Sequence, residues 1–258
     1  MDLTISYKKL GDIPFLMVYN NMSGNKDVIF LFHKLLKNKE DELPLGCFLA
    51  REGYFVVIID MYGHGERQNS YDKLFLYDFN CLYKDVYCTA SDLENIIIFL
   101  KERFGQLCFE SITAVGVSIG ASVALTCGYL YPQVSRVVSL LGSLDWENEV
   151  KNNWVSPFRF SSKDKCVMQY ELVKNDIRIY NPLFHYEDCH KPVILFMNGL
   201  LDMTIPVKSV ESTCNDFKRL YASNNQEYKV SLRLYENTGH QVTYKMIEEL
   251  LKWLRLKI

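Results

Sequence analysis

The chain has 258 residues, of which 48% are hydrophobic and 23% are charged. This length and composition are those of a globular protein that can bury a sizeable core, and they fit one domain. Its 29 Lys and Arg residues against 31 Asp and Glu residues give a net charge of −2, so the charge balance favours neither nucleic acid nor an anionic membrane surface as a partner.

The start of the chain and its cysteines bear on the compartment. Residues 1–9 lack a basic segment followed by an apolar one, so we expect no signal peptide, and no apolar run is long enough to cross a bilayer. The eight cysteines are scattered and include no C-x-x-C pair, which favours packed thiols over disulfides. We therefore expect a cytoplasmic protein.

Buried strands alternate with helices along the chain. Short apolar or alternating runs predict strands at 3–9, 13–19, 27–32, 54–59, 111–115, 134–141, 192–197 and 230–235. Apolar residues at helical spacing predict helices at 45–52, 82–104, 121–131, 206–217 and 242–257. This order predicts an α/β fold with a mostly parallel, doubly wound sheet covered by helices on both faces.

Residues 143–190 interrupt the alternation, because aromatic side chains are scattered there among charges with little periodicity. We interpret residues 1–142 and 191–258 as the α/β core and residues 143–190 as a small cap or lid insertion. Most of the aromatic residues are expected to pack inside the cap. Trp146 and Trp154 are candidates for lining a substrate pocket.

A serine stands between two glycines in the run Gly116-Val117-Ser118-Ile119-Gly120, after a predicted strand and before a predicted helix. Strand, sharp turn and helix form the context of a nucleophile elbow, in which strained backbone exposes the serine hydroxyl. Glycines two positions before and after the serine let strand and helix approach closely. The N–H of Ile119 would lie at a helix N-terminus, which stabilises developing negative charge. The alternative is an ordinary β–α turn that matches the pattern by chance.

Three reactive residue types follow predicted strands in the order Ser118, Asp202 and His240. The carboxyl ends of parallel strands meet at one edge of an open α/β sheet, where function gathers. A serine hydroxyl becomes nucleophilic when an imidazole takes its proton, and the imidazole needs a carboxylate to orient it. We predict Ser118 as nucleophile, His240 as base and Asp202 as the orienting acid. Asp145, just after the strand at 134–141, is the competing acid.

The whole chain resembles the α/β-hydrolase superfamily. The motifs that carry this resemblance are the serine turn at 116–120, Asp60-x-x-Gly63-His64-Gly65, Leu201-Asp202-x-x-x-Pro206 and Gly239-His240. The run at 62–67 is similar to that of bacterial esterases and of peptidase-like hydrolases related to the prolyl oligopeptidase catalytic domain. The resemblance implies the α/β-hydrolase fold and a Ser-Asp-His triad, and it leaves the substrate open.

The resemblance also implies an oxyanion hole in which Leu35 supplies a second backbone N–H beside that of Ile119. The family usually has His-Gly after its third strand, whereas this chain has His33-Lys34. A lysine adopts positive φ less readily than glycine, so either the loop is shaped differently or Lys34 brings its ammonium near the site, where it is a candidate for binding substrate. We expect a working oxyanion hole, because a backbone donor survives substitution of the side chain.

Two further polar groups are assigned structural roles. His64 is predicted to brace its own turn together with Asp60 and Arg67. A second group resembles a metal cluster, but its spacing matches no standard site, so we predict a solvated loop and no metal site. The members of that second group are His185, Glu187, Asp188, Cys189 and His190.

The sequence thus predicts a serine hydrolase that cleaves a carboxylic ester of a small molecule through an acyl-enzyme, without metal or cofactor. Two alternatives stay open. One is a peptidase or acyltransferase of the same fold, and the other is a non-catalytic binding protein, suggested by Lys34. A complete set of Ser, Asp and His weighs against the binding protein, which has no need of all three.

Overall fold

The computed structural model describes residues 2–20, 26–68, 79–105, 109–152, 163–185 and 190–256, and in these ranges eight strands form one sheet. The strands are β1 Thr4–Leu10, β2 Ile13–Tyr19, β3 Lys26–Phe32, β4 Phe55–Ile59, β5 Phe109–Val117, β6 Val134–Leu140, β7 Val193–Gly199 and β8 Val230–Tyr235. Their order in the sheet is β1-β2-β4-β3-β5-β6-β7-β8. β2 pairs antiparallel with both β1 and β4, and the strands from β4 through β8 in the sheet order pair parallel.

Helices cover both faces of this sheet. They are α1 Leu43–Arg51, α2 Leu82–Ser91, α3 Leu93–Phe104, α4 Ile119–Leu130, α5 Trp146–Lys151, α6 Lys163–Tyr180, α7 Val207–Ala222 and α8 Tyr244–Leu254. One hydrophobic core joins α1 and α8 to one face, and a second core joins α2 through α7 to the other. Alternate residues of each parallel strand enter opposite cores; in β3, Ile29 and Leu31 enter the first and Phe30 and Phe32 the second. The predicted mostly parallel, doubly covered sheet is confirmed.

The predicted single helix at 82–104 is wrong, because the chain divides at Asp92 into α2 and α3. Near the break, the hydroxyls of Thr89 and Ser91 donate to backbone carbonyls one turn earlier, a bonding pattern that bends helices. The Asp92 carboxylate accepts a hydrogen bond from Arg67 at 2.5 Å. The apolar period continues through the break, so the sequence pattern does not reveal it.

The segment between β6 and β7 is more helical than its sequence suggests. It contains α5 and the 18-residue α6, which pack against each other, and α6 also packs on α2. A single 3-10 turn, Pro182–Phe184, follows α6. The division into a core and a cap at 143–190 stays an interpretation.

Two sequence expectations concern thiols and membranes. The cysteines that the structure describes are thiols rather than disulfides, namely Cys47, Cys81, Cys88, Cys127, Cys166 and Cys214. Cys108 and Cys189 lie outside the described residues. Within the described ranges, no helix has both the length and the hydrophobicity needed to cross a membrane.

Candidate active site

Ser118 occupies strained backbone between β5 and α4. Its φ of 58° and ψ of −121° lie in a region that non-glycine residues rarely adopt. The conformation is held on both sides, since the Ser118 N–H donates to the Leu140 carbonyl at 2.8 Å and the Ser118 carbonyl accepts from the Ala121 N–H at 2.9 Å. This is the geometry of a nucleophile elbow.

The glycines around Ser118 stand where backbone atoms leave no space for a side chain. A Cβ on Gly116 would lie 1.9 Å from the carbonyl oxygen of Gly120. A Cβ on Gly120 would lie 2.4 Å from the carbonyl oxygen of Phe32, and one on Gly142 would lie 2.5 Å from that of Ser118. The close approach of strand and helix that the motif predicts is therefore confirmed.

Loops after β5, β7 and β8 bring Ser118, Asp202 and His240 into one chain of hydrogen bonds. His240 Nε2 lies 2.9 Å from Ser118 Oγ, and His240 Nδ1 lies 2.8 Å from Asp202 Oδ2. A carboxylate can only accept, so Nδ1 carries the proton and Nε2 is left to accept from the serine hydroxyl. The imidazole is thus in the tautomer that can remove a proton from Ser118.

Asp202 is fixed by its own loop. Its side chain is fully buried, and Oδ1 accepts the backbone N–H groups of Thr204 at 2.8 Å and Ile205 at 2.9 Å. These two bonds leave Oδ2 directed at His240. The loop also packs on the histidine loop through backbone, because a Cβ on Gly199 would lie 2.2 Å from the Thr238 carbonyl oxygen.

Asp145 is not brought to His240 by any described contact. Its Oδ1 accepts from the side chain of Asn148 at 2.8 Å at the start of α5. Burial raises the pKa of the Asp145 carboxyl to about 6. Among the residues that the structure describes, Asp202 supplies the carboxylate that His240 contacts.

His33 braces the loop after β3, a role that sequence reasoning missed. The buried imidazole accepts the Met61 N–H at Nε2, 3.0 Å away, and its Nδ1–H donates to the Lys34 carbonyl at 2.8 Å. Burial lowers the pKa of His33 to about 4, so the ring is neutral near pH 7. A histidine directly after the apolar run at 28–32 is the only sequence signal of this role.

The His33-Lys34 loop places its left-handed residue after the lysine. Leu36 has a positive φ of 57°, and Lys34 does not have a positive φ. Lys34 therefore avoids the conformation that a lysine tolerates poorly. Its ammonium acts on Glu42, where burial raises the carboxyl pKa and the Lys34 charge opposes that rise.

The two candidate oxyanion donors follow neighbouring parallel strands. Phe32 of β3 pairs with Gly116 of β5, so Leu35 and Ile119 come three residues after paired positions at the same sheet edge. The Leu35 side chain is partly buried against the second core, which contains residues of α2 through α7. Their role as oxyanion donors stays a prediction, as does substrate binding by Lys34.

Trp146 is part of the protein interior. It is 1% exposed, its ring lies 4.6 Å from that of Tyr83, and its Nε1 lies 3.4 Å from Ser122 Oγ. This position fits the packing role expected of most aromatic residues in the segment. Trp154 lies outside the described residues.

A buried carboxyl lies one turn after Trp146. Glu149 Oε1 accepts from the Ser209 hydroxyl at 2.8 Å and from the Ser143 hydroxyl, which joins α5 to α7. Burial raises the pKa of Glu149 to about 7. No sequence pattern marked this group, because its partners are 6 and 60 residues away.

The turn after β4 is braced as predicted, with one unforeseen partner. Asp60 is fully buried, and its carboxylate accepts from the Glu66 N–H at 3.0 Å and from the Lys39 ammonium at 2.9 Å. His64 Nδ1 lies 2.9 Å from the Tyr62 carbonyl oxygen, and burial lowers the pKa of this histidine. Arg67 donates to the Asp60 backbone carbonyl at 3.4 Å rather than to its carboxylate.

The predicted solvated loop at 185–190 is described only at its ends, His185 and His190. Elsewhere in the described ranges, no three His, Cys, Asp or Glu side chains are grouped so as to hold a metal ion.

Comparisons with known proteins agree with this architecture. The model of a family described as "BAAT / Acyl-CoA thioester hydrolase C terminal" matches residues 94–245, a stretch that contains the hydrogen-bonded serine, aspartate and histidine. The protein named "Putative esterase YitV" of Bacillus subtilis (strain 168) is 21% identical over 260 residues, covering 97% of this chain and 98% of that protein.

Solved structures show the same fold. TT1662 from Thermus thermophilus matches with a TM-score of 0.71 at 19% identity, over 98% of this chain and 97% of that one. The Pyrococcus furiosus esterase Pf2001 matches with a TM-score of 0.66 at 16% identity, over 98% and 88%. The acylaminoacyl peptidase of Pyrococcus horikoshii matches with a TM-score of 0.72 at 16% identity, over 98% of this chain and 41% of that one. The resemblance to the α/β-hydrolase superfamily is confirmed.

Proposed function

Because the chain belongs to the BAAT/acyl-CoA thioester hydrolase C-terminal family of the α/β-hydrolase superfamily, we propose that it is a serine hydrolase that cleaves a carboxylic ester of a small molecule. One observation carries the proposal: contacts of 2.9 and 2.8 Å join Ser118, His240 and Asp202 in the order that serine hydrolysis needs.

The reaction follows from these contacts. His240 Nε2 takes the Ser118 proton as Oγ attacks the ester carbonyl, and Asp202 stabilises the imidazolium that forms. The imidazolium returns its proton to the leaving alcohol, which leaves an acyl group on Ser118. A water molecule, activated by the same imidazole, then releases the acid.

Backbone N–H groups of Ile119 and Leu35 are proposed to hold the oxyanion during both steps. Ile119 begins α4, so the dipole of that helix adds to its hydrogen bond. Loss of one such donor costs about two to three orders of magnitude in turnover. The bonds of His33 to Lys34 and Met61 hold the Leu35 loop in place.

A thioester is the second candidate substrate, and the family description favours it. The matched stretch includes the three hydrogen-bonded residues, so the same machinery would act on a thioester. A thiol with a pKa of about 8.5 is a better leaving group than an alcohol and depends less on protonation by His240. The ratio of kcat/KM for an oxoester and a thioester of the same acyl group separates the two candidates.

The deciding experiment is covalent labelling with a fluorophosphonate probe, read by intact mass. We expect one adduct on the wild-type chain and none on Ser118→Ala. Ser122→Ala is the matched control, because Ser122 lies one turn further along α4 with its hydroxyl bound to the Ser143 carbonyl. That variant should be labelled like wild type.

Ester hydrolysis by the same variants completes the test. Ser118→Ala and His240→Ala should lose turnover while keeping the far-UV circular dichroism of the wild type. Labelling or turnover that persists in Ser118→Ala would contradict the mechanism. A folded wild-type chain that takes up no probe would favour the non-catalytic binding protein.

A further inference from the structure

Helix α6 carries apolar residues on two nearly opposite faces. The inner face packs on α2 and α5 and consists of Cys166, Tyr170, Val173, Ile177 and Tyr180. On the outer face, Met168, Leu172 and Ile179 are 67%, 68% and 58% exposed. Exposed apolar side chains that line up on one helix face between polar residues have the character of an interaction surface.

The outer face has the spacing of a coiled-coil seam. Met168, Leu172, Asn175 and Ile179, here called the outer stripe, are separated by four, three and four residues. This is the alternation of d and a positions in a heptad repeat. The 18 residues of α6 make a rod about 27 Å long, so the stripe runs over most of the helix.

We propose that the outer stripe is the contact surface between two copies of this chain, whose α6 helices pack antiparallel about a two-fold axis. In this arrangement each a position faces a d position of the other helix. Met168 then lies opposite Ile179 of the second copy, and Leu172 lies opposite Asn175. The two Asn175 side chains are offset by three residues, about 4.5 Å along the helices, and can bond to each other across the axis.

The charges beside the stripe select a second copy in antiparallel orientation. Glu171 and Arg178 both occupy g positions, and antiparallel helices place g positions opposite each other. Each Glu171 therefore faces Arg178 of the other copy, twice across the axis. A parallel pair would place Glu171 against Asp176, which occupies an e position, and like charges would repel. The surface is complementary to itself in one orientation.

A cavity of about 250 Å³ lies at the C-terminal end of the stripe. It is lined by Ile179 of the stripe and by four ring side chains, those of Tyr87, Tyr129, Tyr180 and His185. Met168 of the second copy is the residue placed opposite Ile179, at the edge of this cavity. A flexible thioether makes favourable contacts with aromatic rings, so Met168 supplies an anchor for the pocket.

The size of the surface sets the expected affinity. The area buried between one helix face of each copy is smaller than the roughly 1,200 Å² of a standard stable interface. The dimer should therefore be weak, and its population should depend on protein concentration. Sedimentation velocity over a series of protein concentrations is the suitable measurement. Wild type should pass from the 30.1 kDa of one chain to twice that mass as concentration rises.

The first variant places a charge in the stripe. Leu172→Glu should raise the dissociation constant at least about 100-fold, because the charge would be buried against the second copy. Ile98→Glu is the matched control, since Ile98 is 49% exposed on α3, outside the stripe. It should dimerise like wild type.

Charge reversal tests the orientation. Glu171→Lys and Arg178→Glu should each weaken the dimer, and the double variant should restore it because the pairs re-form with exchanged signs. A wild-type chain that stays monomeric at every concentration would overturn the proposal. So would a Leu172→Glu variant that dimerises like wild type, or a double variant no stronger than the single ones.

Discussion

The imidazole of His33 accepts the backbone N–H of Met61 at 3.0 Å, and this bond joins the loop after β3 to the loop after β4. The bond needs a neutral ring, because a protonated imidazole has no free acceptor. Burial lowers the pKa of His33 to about 4, against 6.5 for an exposed histidine. The contact therefore makes stability depend on pH.

The first prediction concerns this dependence. Below pH 6.5 the unfolded state binds a proton that the native ring does not, so the His33 contribution to stability is complete above pH 6.5 and is lost as pH falls toward 4. At about 1.4 kcal/mol per pH unit, the unfolding free energy should fall by about 2 kcal/mol between pH 6.5 and pH 5. Urea unfolding of wild type and of His33→Gln measures this change, and the unfolding free energy of the variant should fall by less over this range. Equal losses would contradict the assignment.

The second prediction concerns Glu149, for which the sign is reversed. Its pKa is about 7 in the folded chain against 4.5 for an exposed carboxyl, so the native state holds its proton more tightly. Stability should fall as pH rises from 4.5 to 7, by about 3 kcal/mol in total. Glu149→Gln removes this cost, so it should gain stability relative to wild type at pH 8 but little at pH 5. A variant less stable than wild type at pH 8 would show that the charge is well compensated.

The third prediction concerns the contact between the loops of Asp202 and His240. A Cβ on Gly199 would lie 2.2 Å from the Thr238 carbonyl oxygen, whereas the nearest atom to a Cβ on Gly239 is 3.7 Å away. Gly199→Ala should therefore lower the unfolding free energy by about 1–3 kcal/mol or more, since backbone must move. Gly239→Ala is the matched control and should change it by less than about 0.5 kcal/mol. Thermal and urea unfolding of both variants check the difference.

The fourth prediction separates the two candidate acids. Asp202→Asn can still accept the N–H groups of Thr204 and Ile205, but its amide can turn an N–H toward His240 and favour the wrong tautomer. We expect kcat to fall by roughly four orders of magnitude with the fold retained. Asp145→Asn should stay within a few-fold of wild type. If Asp145→Asn loses as much activity as Asp202→Asn, the proposed orienting role of Asp202 is wrong.

Much of this protein follows from local pattern. Apolar runs predict β3 and β4, and the spacing of glycines around Ser118 predicts a tight strand-to-helix turn, because burial and steric limits act on near neighbours. The order of Ser118, Asp202 and His240 after strands also placed them at one sheet edge. Their catalytic roles remain a proposal, which the labelling experiment tests.

Other features depended on the tertiary structure. The break at Asp92 does not interrupt the helical spacing of the apolar residues. A search for one buried face does not find α6, because the apolar residues of that helix lie on two faces. The contacts of His33 with Met61 and of Lys39 with Asp60 join residues 28 and 21 positions apart. The sequence by itself determined the strands β1 to β8 and the helices α1, α4, α7 and α8, because periodicity and glycine sterics are local. Only the packed chain decided which buried polar groups meet, because hydrogen bonds require distances that residue order does not specify.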